Sequence, residues 1–507
     1  MKPRLLFTLF EGQAGGGRRE RLCAALREAV RSGQARLGDR LPSSRDLAQD
    51  LGLSRVTVEA AYAQLETEGY LRRQVGQGSF IAIEMGPTAP RTARPRRTPP
   101  EPAALSRRGQ RMVDTGGCVE PDRPRAFVAG SPDLQAFPTD LWRQLMQRRW
   151  RHDAAALMFY GDPQGLPALR EAIARYLTQS RGVRCTAAQV LVLTSSQQAL
   201  QLLSATLLDE GDAVWMEDPG YAGAHTAFAA SGAQRVDMAL DDQGATLDPT
   251  RPCPRLIYLT PSHQFPTGRA MSLERRLAFI AHARAAGAWL IEDDYDSEFL
   301  YDQTPTPALQ GLDEHGRVVY IGTFSKSLFP SVRLAYMVLP EALVAPLVTA
   351  RSTYDGHPSQ PMQAVAADFL EQGHFAAHLR LMRQLYRSRR DALLQALHSH
   401  LPWAEPLDSR GGLQMAVRLP PGSEQRLTRL AAQRGIATPS LGELYHTVPR
   451  TEGWRLGFAA LTPSTIDEAV QALAGLPLTK AEPAPFRHGH PKASSASRRC
   501  PTSARRA

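Results

Sequence analysis

The chain has 507 residues, 43% of them hydrophobic, which is too long for one ordinary domain and ample for a large core. No apolar run spans a bilayer, no signal peptide is evident, and five scattered cysteines without CxxC pairs argue against disulfides and structural zinc. The net charge of +10 lies in two Pro/Ser/Arg-rich segments, residues 85–111 and 480–507, which carry +6 each and leave −2 for the remainder. We interpret them as a solvated linker and tail that can touch nucleic acid nonspecifically, in a cytoplasmic protein without a metal site.

Residues from about 18 to 83 form a small helical module that ends in a hairpin. Ser43 and Asp46 make an S-x-x-D helix start, and Gly52 ends that helix. Ser54 caps the next helix, whose apolar positions recur at i, i+3, i+4 and i+7. Two helices joined by a tight glycine turn are typical of a helix-turn-helix.

The first turn of the second helix is polar and faces away from the apolar stripe. Arg55 and Thr57 lie there, where the helix dipole and free N–H groups favour phosphate and an arginine can bond guanine. Residues 70–81 then predict two strands around the turn Val75-Gly76-Gln77-Gly78, a wing whose backbone can approach a minor groove. The module is predicted to bind double-stranded DNA, and a helical bundle without nucleic acid is the alternative.

The stretch LPSSRDLAQDLGLSRVTVEAAYAQLETEGYL with the following GQGSF resembles the winged-helix domain of GntR-type transcriptional regulators. The resemblance implies that the following residues contact DNA: Arg45, Ser54, Arg55, Thr57 and Gly76. One position departs, because Glu59 stands where some relatives place a phosphate-contacting arginine. We expect this change to affect base preference and not the fold.

Residues from about 120 to 478 alternate helical patterns with short apolar runs, which predicts an α/β domain with a mostly parallel sheet. Five of these runs are each followed by a polar cluster: 190–193, 214–216, 256–259, 289–291 and 318–321. Ligands of such sheets bind at the carboxyl ends of the strands. We therefore expect the five clusters to line one shared pocket.

Lys326 is unusual because the chain otherwise uses arginine; lysine occurs only at positions 2, 326, 480 and 492. A primary amine can form an imine with an aldehyde, whereas a guanidinium stays protonated and delocalised. A lysine kept at the end of a buried strand therefore indicates carbonyl chemistry.

Other strand-end side chains suit a phosphorylated aromatic ring. Ser195, Ser196 and Gln197 open a helix, where hydroxyls and free N–H groups bind phosphate, and Arg333 can clamp the same group. Asp293 can hold a pyridine nitrogen protonated.

Two tyrosines complete this set. Tyr295 can hydrogen-bond a phenolic oxygen, and Tyr221 can stack on a flat ring. Each residue alone has an ordinary explanation as a cap, as packing or as a surface charge. Together they specify pyridoxal 5′-phosphate, PLP.

Residues from about 125 to 475 resemble a fold-type I aminotransferase of class I/II. The resemblance implies that Lys326 forms the internal aldimine, that Asp293 pairs with the ring nitrogen and that Tyr295 bonds the 3′-oxygen. It also implies that the following residues surround the phosphate: Ser195, Ser196, Gln197, Thr323, Ser325 and Arg333.

Two further residues and one departure follow from the same resemblance. Tyr160 matches a tyrosine that reaches the phosphate of the neighbouring subunit, which implies a homodimer, and Arg455 matches the arginine that binds a substrate α-carboxylate. In HQFPTG, Phe265 replaces an asparagine that bonds the cofactor oxygen, which weakens the expectation of efficient transamination. His263 and Gln264 are candidates for compensation, although we expect structural roles for them.

A GntR-type winged helix-turn-helix followed by an aminotransferase-like domain resembles the MocR/GabR/PdxR-type subfamily of GntR regulators. We predict four segments: 1–83 winged helix-turn-helix, 84–119 linker, 120–478 PLP-binding domain, 479–507 basic disordered tail. The predicted function is a PLP-dependent transcriptional regulator, cytoplasmic and nucleoid-associated, with vestigial or partial aminotransferase chemistry. It would sense PLP or an amine or amino-acid effector through Lys326 and bind an operator as a homodimer.

Three alternatives stay open. The first is a working aminotransferase with an accessory DNA-binding domain, against which Phe265 argues. The second is a DNA-binding protein with a dead pocket, against which Lys326, Asp293 and Arg455 argue. The third is an enzyme whose helical module serves only oligomerisation, and it would bind no operator.

Overall fold

The structure is a computed structural model that describes residues 3–13, 15–74, 76–84, 104–118, 126–301, 306–408 and 410–477. The chain divides into two compact units, Met1–Ala104 and Leu105–Ala507, which we call the head and the body. The predicted tail, residues 479–507, and more than half of the predicted linker lie outside the described residues.

The described part of the head has four helices and one hairpin: α1 (Pro3–Glu11), α2 (Arg18–Arg31), α3 (Ser44–Asp50), α4 (Arg55–Thr67), β1 (Leu71–Gln74) and β2 (Gly78–Ile81). The two predicted N-caps are confirmed. The Ser43 hydroxyl accepts a bond from the Asp46 N–H at 3.2 Å, and the Ser54 hydroxyl accepts one from the Thr57 N–H at 3.1 Å. These bonds satisfy N–H groups that have no partner inside the helices and fix where α3 and α4 begin.

The predicted apolar stripe of α4 lies in the core of the head, where Val58, Ala61 and Leu65 have no exposed surface. Strands β1 and β2 pair antiparallel as the predicted wing. Gly76 in the turn between them has φ of 76°, a left-handed conformation that glycine adopts without strain. Val75 lies outside the described residues.

The body contains twelve helices in its described part: α5 (Arg107–Asp114), α6 (Thr139–Leu157), α7 (Pro167–Arg181), α8 (Ser196–Leu207), α9 (Ala222–Ser231), α10 (Leu273–Ala286), α11 (Leu309–Leu312), α12 (Glu341–Asp355), α13 (Gln360–Glu371), α14 (His374–His400), α15 (Glu424–Gln433) and α16 (Pro463–Ala474). Its strands are β3 (Val190–Leu193), β4 (Ala213–Glu217), β5 (Gln234–Met238), β6 (Leu240–Asp241), β7 (Gly244–Ala245), β8 (Leu256–Leu259), β9 (Trp289–Asp294), β10 (Val318–Thr323), β11 (Ala335–Val338), β12 (Glu405–Pro406), β13 (Gln414–Arg418) and β14 (Gly453–Gly457). Short 3-10 turns cover Ala187–Gln189, Ser297–Phe299, Pro330–Val332 and Gly442–Leu444.

Seven strands form the central sheet in the order β3-β11-β10-β9-β8-β4-β5. Strand β11 runs antiparallel to both of its neighbours, and the other pairs are parallel, so the predicted mostly parallel sheet is confirmed. All five predicted strands are present in it. A separate antiparallel sheet, β12-β13-β14, lies near the C-terminal end of the body.

Both faces of the central sheet are covered, which explains why its strands are apolar throughout. Along β3, Val190 and Val192 join one core cluster, whereas Leu191 and Leu193 join another on the opposite face. Among the described residues, no helix combines the length and the apolar character that crossing a bilayer requires.

Helix α5 lies inside the segment 84–119, which the sequence predicts to be a linker. The Ser106 hydroxyl caps it by accepting a bond from the Gly109 N–H at 3.0 Å. Arg111 forms an ion pair with Glu210 of the body at 2.6 Å. The Pro-rich portion precedes this helix, and its residues 85–103 are not described.

Candidate cofactor site and DNA-binding surface

The strand register brings several predicted site residues to one edge of the central sheet. Thr323 at the end of β10 lies opposite Ala335 of β11, and Ala335 lies opposite Leu193 at the end of β3. Asp293 of β9 lies beside Ile321 of β10. The loop after β10, the end of β9 and the turn after β3 therefore meet at the same edge.

Asp293 is a buried carboxylate with one unused oxygen. The Tyr258 hydroxyl donates to Oδ2 at 2.7 Å, whereas Oδ1 is buried and has no hydrogen-bond partner in the described part of the chain. Burial is the main reason that the pKa of Asp293 rises to about 7, and the nearby Asp294 and Asp296 add to it. A positively charged N–H donor at Oδ1 would satisfy this oxygen and restore the ionised form.

Lys326 extends from the loop after β10 towards the backbone of Gly130. Its Nζ donates to the Gly130 carbonyl oxygen at 3.0 Å, and a Cβ added at Gly130 would lie 3.1 Å from Nζ. No ion pair within the described residues holds this amine. The absence of a side chain at residue 130 leaves room for the amine and for a group attached to it.

Three aromatic rings form a wall beside the strand ends. The ring of Phe265 contacts Tyr221 edge to face at 5.5 Å between centroids and Tyr295 at 5.9 Å. The guanidinium of Arg455 lies 5.4 Å from the centroid of the Phe265 ring. The residue that replaces the expected asparagine thus packs between both predicted cofactor tyrosines and the predicted carboxylate-binding arginine.

The two polar residues before Phe265 differ in what they contact. The Oε1 atom of Gln264 accepts from the Thr267 N–H at 3.1 Å, so this side chain has the structural role that we expected. His263 instead contacts a predicted cofactor residue, with Nδ1 3.1 Å from the Tyr295 hydroxyl and 2.9 Å from Asp296 Oδ1.

The turn after β3 holds the three residues predicted to open a phosphate site. The Ser195 hydroxyl caps α8, and Ser196 is the first residue of that helix. The Nε2 atom of Gln197 donates to the Gly223 carbonyl oxygen at 3.0 Å, and its buried Oε1 has no hydrogen-bond partner within the described ranges. These residues form the N-terminus of a twelve-residue helix, which favours an anion.

The remaining residues that are predicted to bind phosphate lie less close together. The Thr323 hydroxyl accepts from the Ser325 N–H at 3.1 Å, at the start of the lysine loop. Arg333 is exposed, and the ring of Tyr160, 84% exposed, contacts the ring of His357 at 5.9 Å. In the described part of the chain, no hydrogen bond or ion pair joins Arg333 or Tyr160 to the other predicted cofactor residues.

On the head, most of the predicted DNA contacts are exposed. Arg45, Ser54, Arg55 and Gly76 are exposed and Thr57 is half-buried. Arg55 and Thr57 lie in the first turn of α4, where the N–H groups of the helix are available to phosphate.

Glu59, which the resemblance places where some GntR-type domains have an arginine, forms an ion pair with the wing. Its carboxylate pairs with Arg73 of β1 at 3.1 Å, and Arg73 also pairs with Glu66 at 3.3 Å. A hydrogen bond from Ser44, ahead of the charge of Arg73, lowers the pKa of Glu59. The charge of Glu59 on α4, which we call the recognition helix, is therefore partly neutralised within the head itself.

Several contacts at the candidate cofactor site cannot be predicted from the sequence. Tyr258 lies within an apolar strand, and the alternation of side chains along that strand could have shown that it shares a face with the pocket. Gly130 and Asp296 have no motif around them that would assign them to the site. Only the folded chain brings them to Lys326 and His263.

Comparison with known proteins covers both units. Residues 129–473 match the family of aminotransferase class I and II, and residues 18–81 match the gntR family of bacterial regulatory proteins. The probable rhizopine catabolism regulatory protein MocR of Rhizobium meliloti is 39% identical over 91% of this chain and 96% of its own. The pyridoxine biosynthesis transcriptional regulator PdxR of Corynebacterium glutamicum is 30% identical over 88% and 92%.

A solved structure supports the fold of the body. LysN, an α-aminoadipate aminotransferase of Thermus thermophilus complexed with N-(5′-phosphopyridoxyl)-L-leucine, has a TM-score of 0.64 and 30% identity. The similarity covers 69% of this chain and 90% of LysN.

Fold and sequence together define a winged helix-turn-helix regulator fused to a fold-type I aminotransferase-like domain. The similarity to MocR and PdxR extends through both units. The chain belongs to the MocR/GabR/PdxR-type subfamily of GntR transcriptional regulators.

Proposed function

We propose that the body binds PLP at the edge formed by β3, β9 and β10, and that this binding controls the DNA-binding head. The observation that carries the proposal is the buried Asp293, whose free Oδ1 lies on the sheet edge that also bears the Lys326 loop and the N-terminus of α8. PLP supplies an aldehyde that condenses with a primary amine and a pyridine ring that withdraws electrons.

The residues of this chain have separate tasks in the proposed site. Lys326 holds the aldehyde end, and Asp293 keeps a proton on the pyridine nitrogen, since a carboxylate at that atom favours its charged form. Tyr221 and Phe265 cover the ring and exclude water. Arg455 binds the carboxylate of an amino-acid effector.

An effector amine would compete with the Lys326 amine for the aldehyde that PLP supplies; alternatively PLP itself would be the effector. Either event can change the head only by favouring one conformation of the body over another. The same subfamily membership supports binding of a double-stranded operator by a homodimer in the cytoplasm. Tyr160, with Met158 and Phe159 beside it, would meet the partner subunit.

Lys326→Arg tests the cofactor, because it keeps the positive charge and removes the amine that condenses with an aldehyde. We expect the unchanged protein to develop a visible absorbance band with PLP that is insensitive to dilution, and the variant to lack it. Lys492→Arg in the predicted tail is the matched control and should leave the band unchanged. A band of equal size in Lys326→Arg would contradict the proposal.

Arg55→Ala tests the separation of tasks between the two units. We expect it to abolish sequence-specific retardation of the chain's own promoter DNA in gel shifts while PLP absorbance stays as in the parent. Retardation of the parent should change when PLP or a candidate amine is added. A retardation pattern that ignores PLP and every amine tested would remove the regulatory part of the proposal.

A working aminotransferase is the second candidate, because LysN and other neighbours of the body are named aminotransferases. Steady conversion of an amino donor and a keto acid by the purified protein would favour it. Because Phe265 stands where the resemblance to class I/II aminotransferases implies an asparagine, we expect at most slow turnover.

A further inference from the structure

Nδ1 of His263 lies near three oxygens, two on the buried Asp296 and one on the half-buried Tyr295. It is 2.9 Å from Asp296 Oδ1, 3.1 Å from Asp296 Oδ2 and 3.1 Å from the hydroxyl oxygen of Tyr295. Both His263 and Asp296 are buried, with 6% and 2% of their surfaces exposed. The contact between His263 and Asp296 therefore has a fixed geometry and little competition from water.

The chemistry of the three partners decides where the protons lie. An ionised carboxylate only accepts hydrogen bonds, so the hydrogen must be on Nδ1 of His263 whether the ring is neutral or charged. The Tyr295 oxygen can then only accept from this N–H, and its own O–H proton is free for another acceptor. Burial, first among its causes, raises the pKa of Tyr295 well above its ordinary value and keeps that proton in place.

The charges around His263 favour the same arrangement. Burial alone lowers the pKa of His263, but the carboxylates of Asp296, Asp408 and Asp294 outweigh it and raise the pKa. These three carboxylates thus favour the protonated ring, which carries a hydrogen on Nδ1.

The backbone next to the ring is shaped to admit it. A Cβ at Gly412 would lie 2.3 Å from Cε1 of His263 and 3.0 Å from Oδ2 of Asp296. Gly412 also has φ of 80°, which side chains rarely adopt. Only a glycine at this position leaves His263 and Asp296 in contact.

We propose that His263 is a positioning residue that makes the Tyr295 hydroxyl a donor towards the phenolic oxygen of PLP, in place of the amide donor lost at Phe265. Asp296 holds the ring in the required tautomer. The inference rests on the proposed binding of PLP and assigns to His263 a role beyond the structural one expected from the sequence.

Two amide substitutions at residue 263 separate this role from packing. In His263→Asn the side-chain NH₂ occupies the place of Nδ1, whereas in His263→Gln it occupies the place of Nε2 and cannot bridge Asp296 and Tyr295. The measurement is the pH midpoint of the visible PLP absorbance. We expect the midpoint to stay within about 0.3 units in His263→Asn and to rise by about one unit in His263→Gln. The midpoint rises because the phenolic oxygen of PLP is negative in the deprotonated state. His263→Gln would deprive that oxygen of the hydrogen bond from the Tyr295 hydroxyl, which disfavours this state.

Tyr295→Phe supplies the second comparison, because the proposed effect passes through the tyrosine hydroxyl. In this background His263→Gln should produce no further shift of the midpoint. Equal shifts in His263→Asn and His263→Gln, or an undiminished shift in the Tyr295→Phe background, would overturn the inference and leave PLP binding intact. Absence of any visible band in the unchanged protein would instead overturn the proposed function and, with it, this inference.

Discussion

Three carboxyl groups of the body, Glu217, Asp293 and Glu298, are buried and form no ion pair in the described part of the chain. Burial is the first cause that raises the pKa of each of them to about 7. Each also has one oxygen without a hydrogen-bond partner within the described residues. A carboxyl group that is ionised in such surroundings destabilises the fold, whereas the protonated form does not.

Glu298 gives the clearest prediction, because it lies outside the proposed cofactor contacts and its side chain accepts a bond from the Tyr176 hydroxyl at 3.2 Å. Its raised pKa means that the folded state keeps the proton longer than the unfolded chain, so stability is lost as pH rises from about 4 to about 7. Glu298→Gln mimics the protonated form. We expect the variant to be more stable than the parent by about 1 to 3 kcal/mol at pH 8 and by much less near pH 5.

Urea unfolding of the PLP-free proteins at both pH values measures this difference. Glu314→Gln, at an exposed position, is the matched control and should show no difference that depends on pH. If the difference in free energy of unfolding between Glu298→Gln and the parent is the same at pH 5 and pH 8, the pKa of Glu298 is not raised in the folded protein.

Among the elements, the wing strand β1 is fixed to the recognition helix α4 by one arginine. Arg73 pairs with Glu59 and Glu66, and its guanidinium lies 5.9 Å from the ring of Tyr62. Tyr62 in turn donates to the Pro42 carbonyl oxygen at 3.0 Å. Arg73 therefore holds the wing in place and neutralises acidic groups on α4, the helix that we predict to contact DNA.

Removing this arginine should weaken DNA binding although it is not a predicted DNA contact. In Arg73→Ala the carboxylate of Glu59 is left unpaired beside the phosphates, and we expect affinity for the operator to fall by about 3- to 10-fold. Adding Glu59→Gln to that variant should recover most of the loss. Fluorescence anisotropy with labelled operator measures both effects.

Arg72→Ala is the matched control, since Arg72 is exposed on the same strand. Any loss that it causes should not be recovered by Glu59→Gln. If Glu59→Gln recovers both variants equally, Arg73 acts only as one more positive charge and its role in holding the wing is not supported.

At the scale of the whole molecule, a run of exposed apolar side chains follows α6. Met158, Phe159 and Tyr160 are 70%, 74% and 84% exposed in the single chain. Three adjacent side chains of this kind are unfavourable in water unless another surface covers them. A second copy of the chain is the partner that the resemblance of Tyr160 to a tyrosine shared between subunits implies.

Phe159→Glu tests that assembly. A charge at the interface would be buried without a partner, so we expect the parent to be a dimer and the variant to be a monomer. We also expect the variant to bind PLP more weakly, because Tyr160 is then lost from the neighbouring site. Light scattering after gel filtration gives the masses. Leu277→Glu, at a 48% exposed position on α10, should stay dimeric. A dimeric Phe159→Glu protein would place the interface elsewhere.

Local patterns in the sequence were sufficient for the helix caps, the wing and the five polar strand ends, because each depends on residues close together in the chain. Lys326 was identified in the same way, from a chemistry that arginine cannot perform. The strands β5 and β11 were not predicted, since four or five residues carry little periodicity. Helix α1 was not predicted either.

The contacts between distant segments were decided only by the tertiary structure. Three hydrogen-bonded pairs join residues that are far apart in sequence: Tyr258 with Asp293, Lys326 with Gly130 and His263 with Asp296. The sequence determined which chemical groups this regulator has, because composition and local spacing fix residue types and secondary structure. The order of the strands and the packing of loops across their ends determined which groups touch, because hydrogen bonds and burial depend on distances in space.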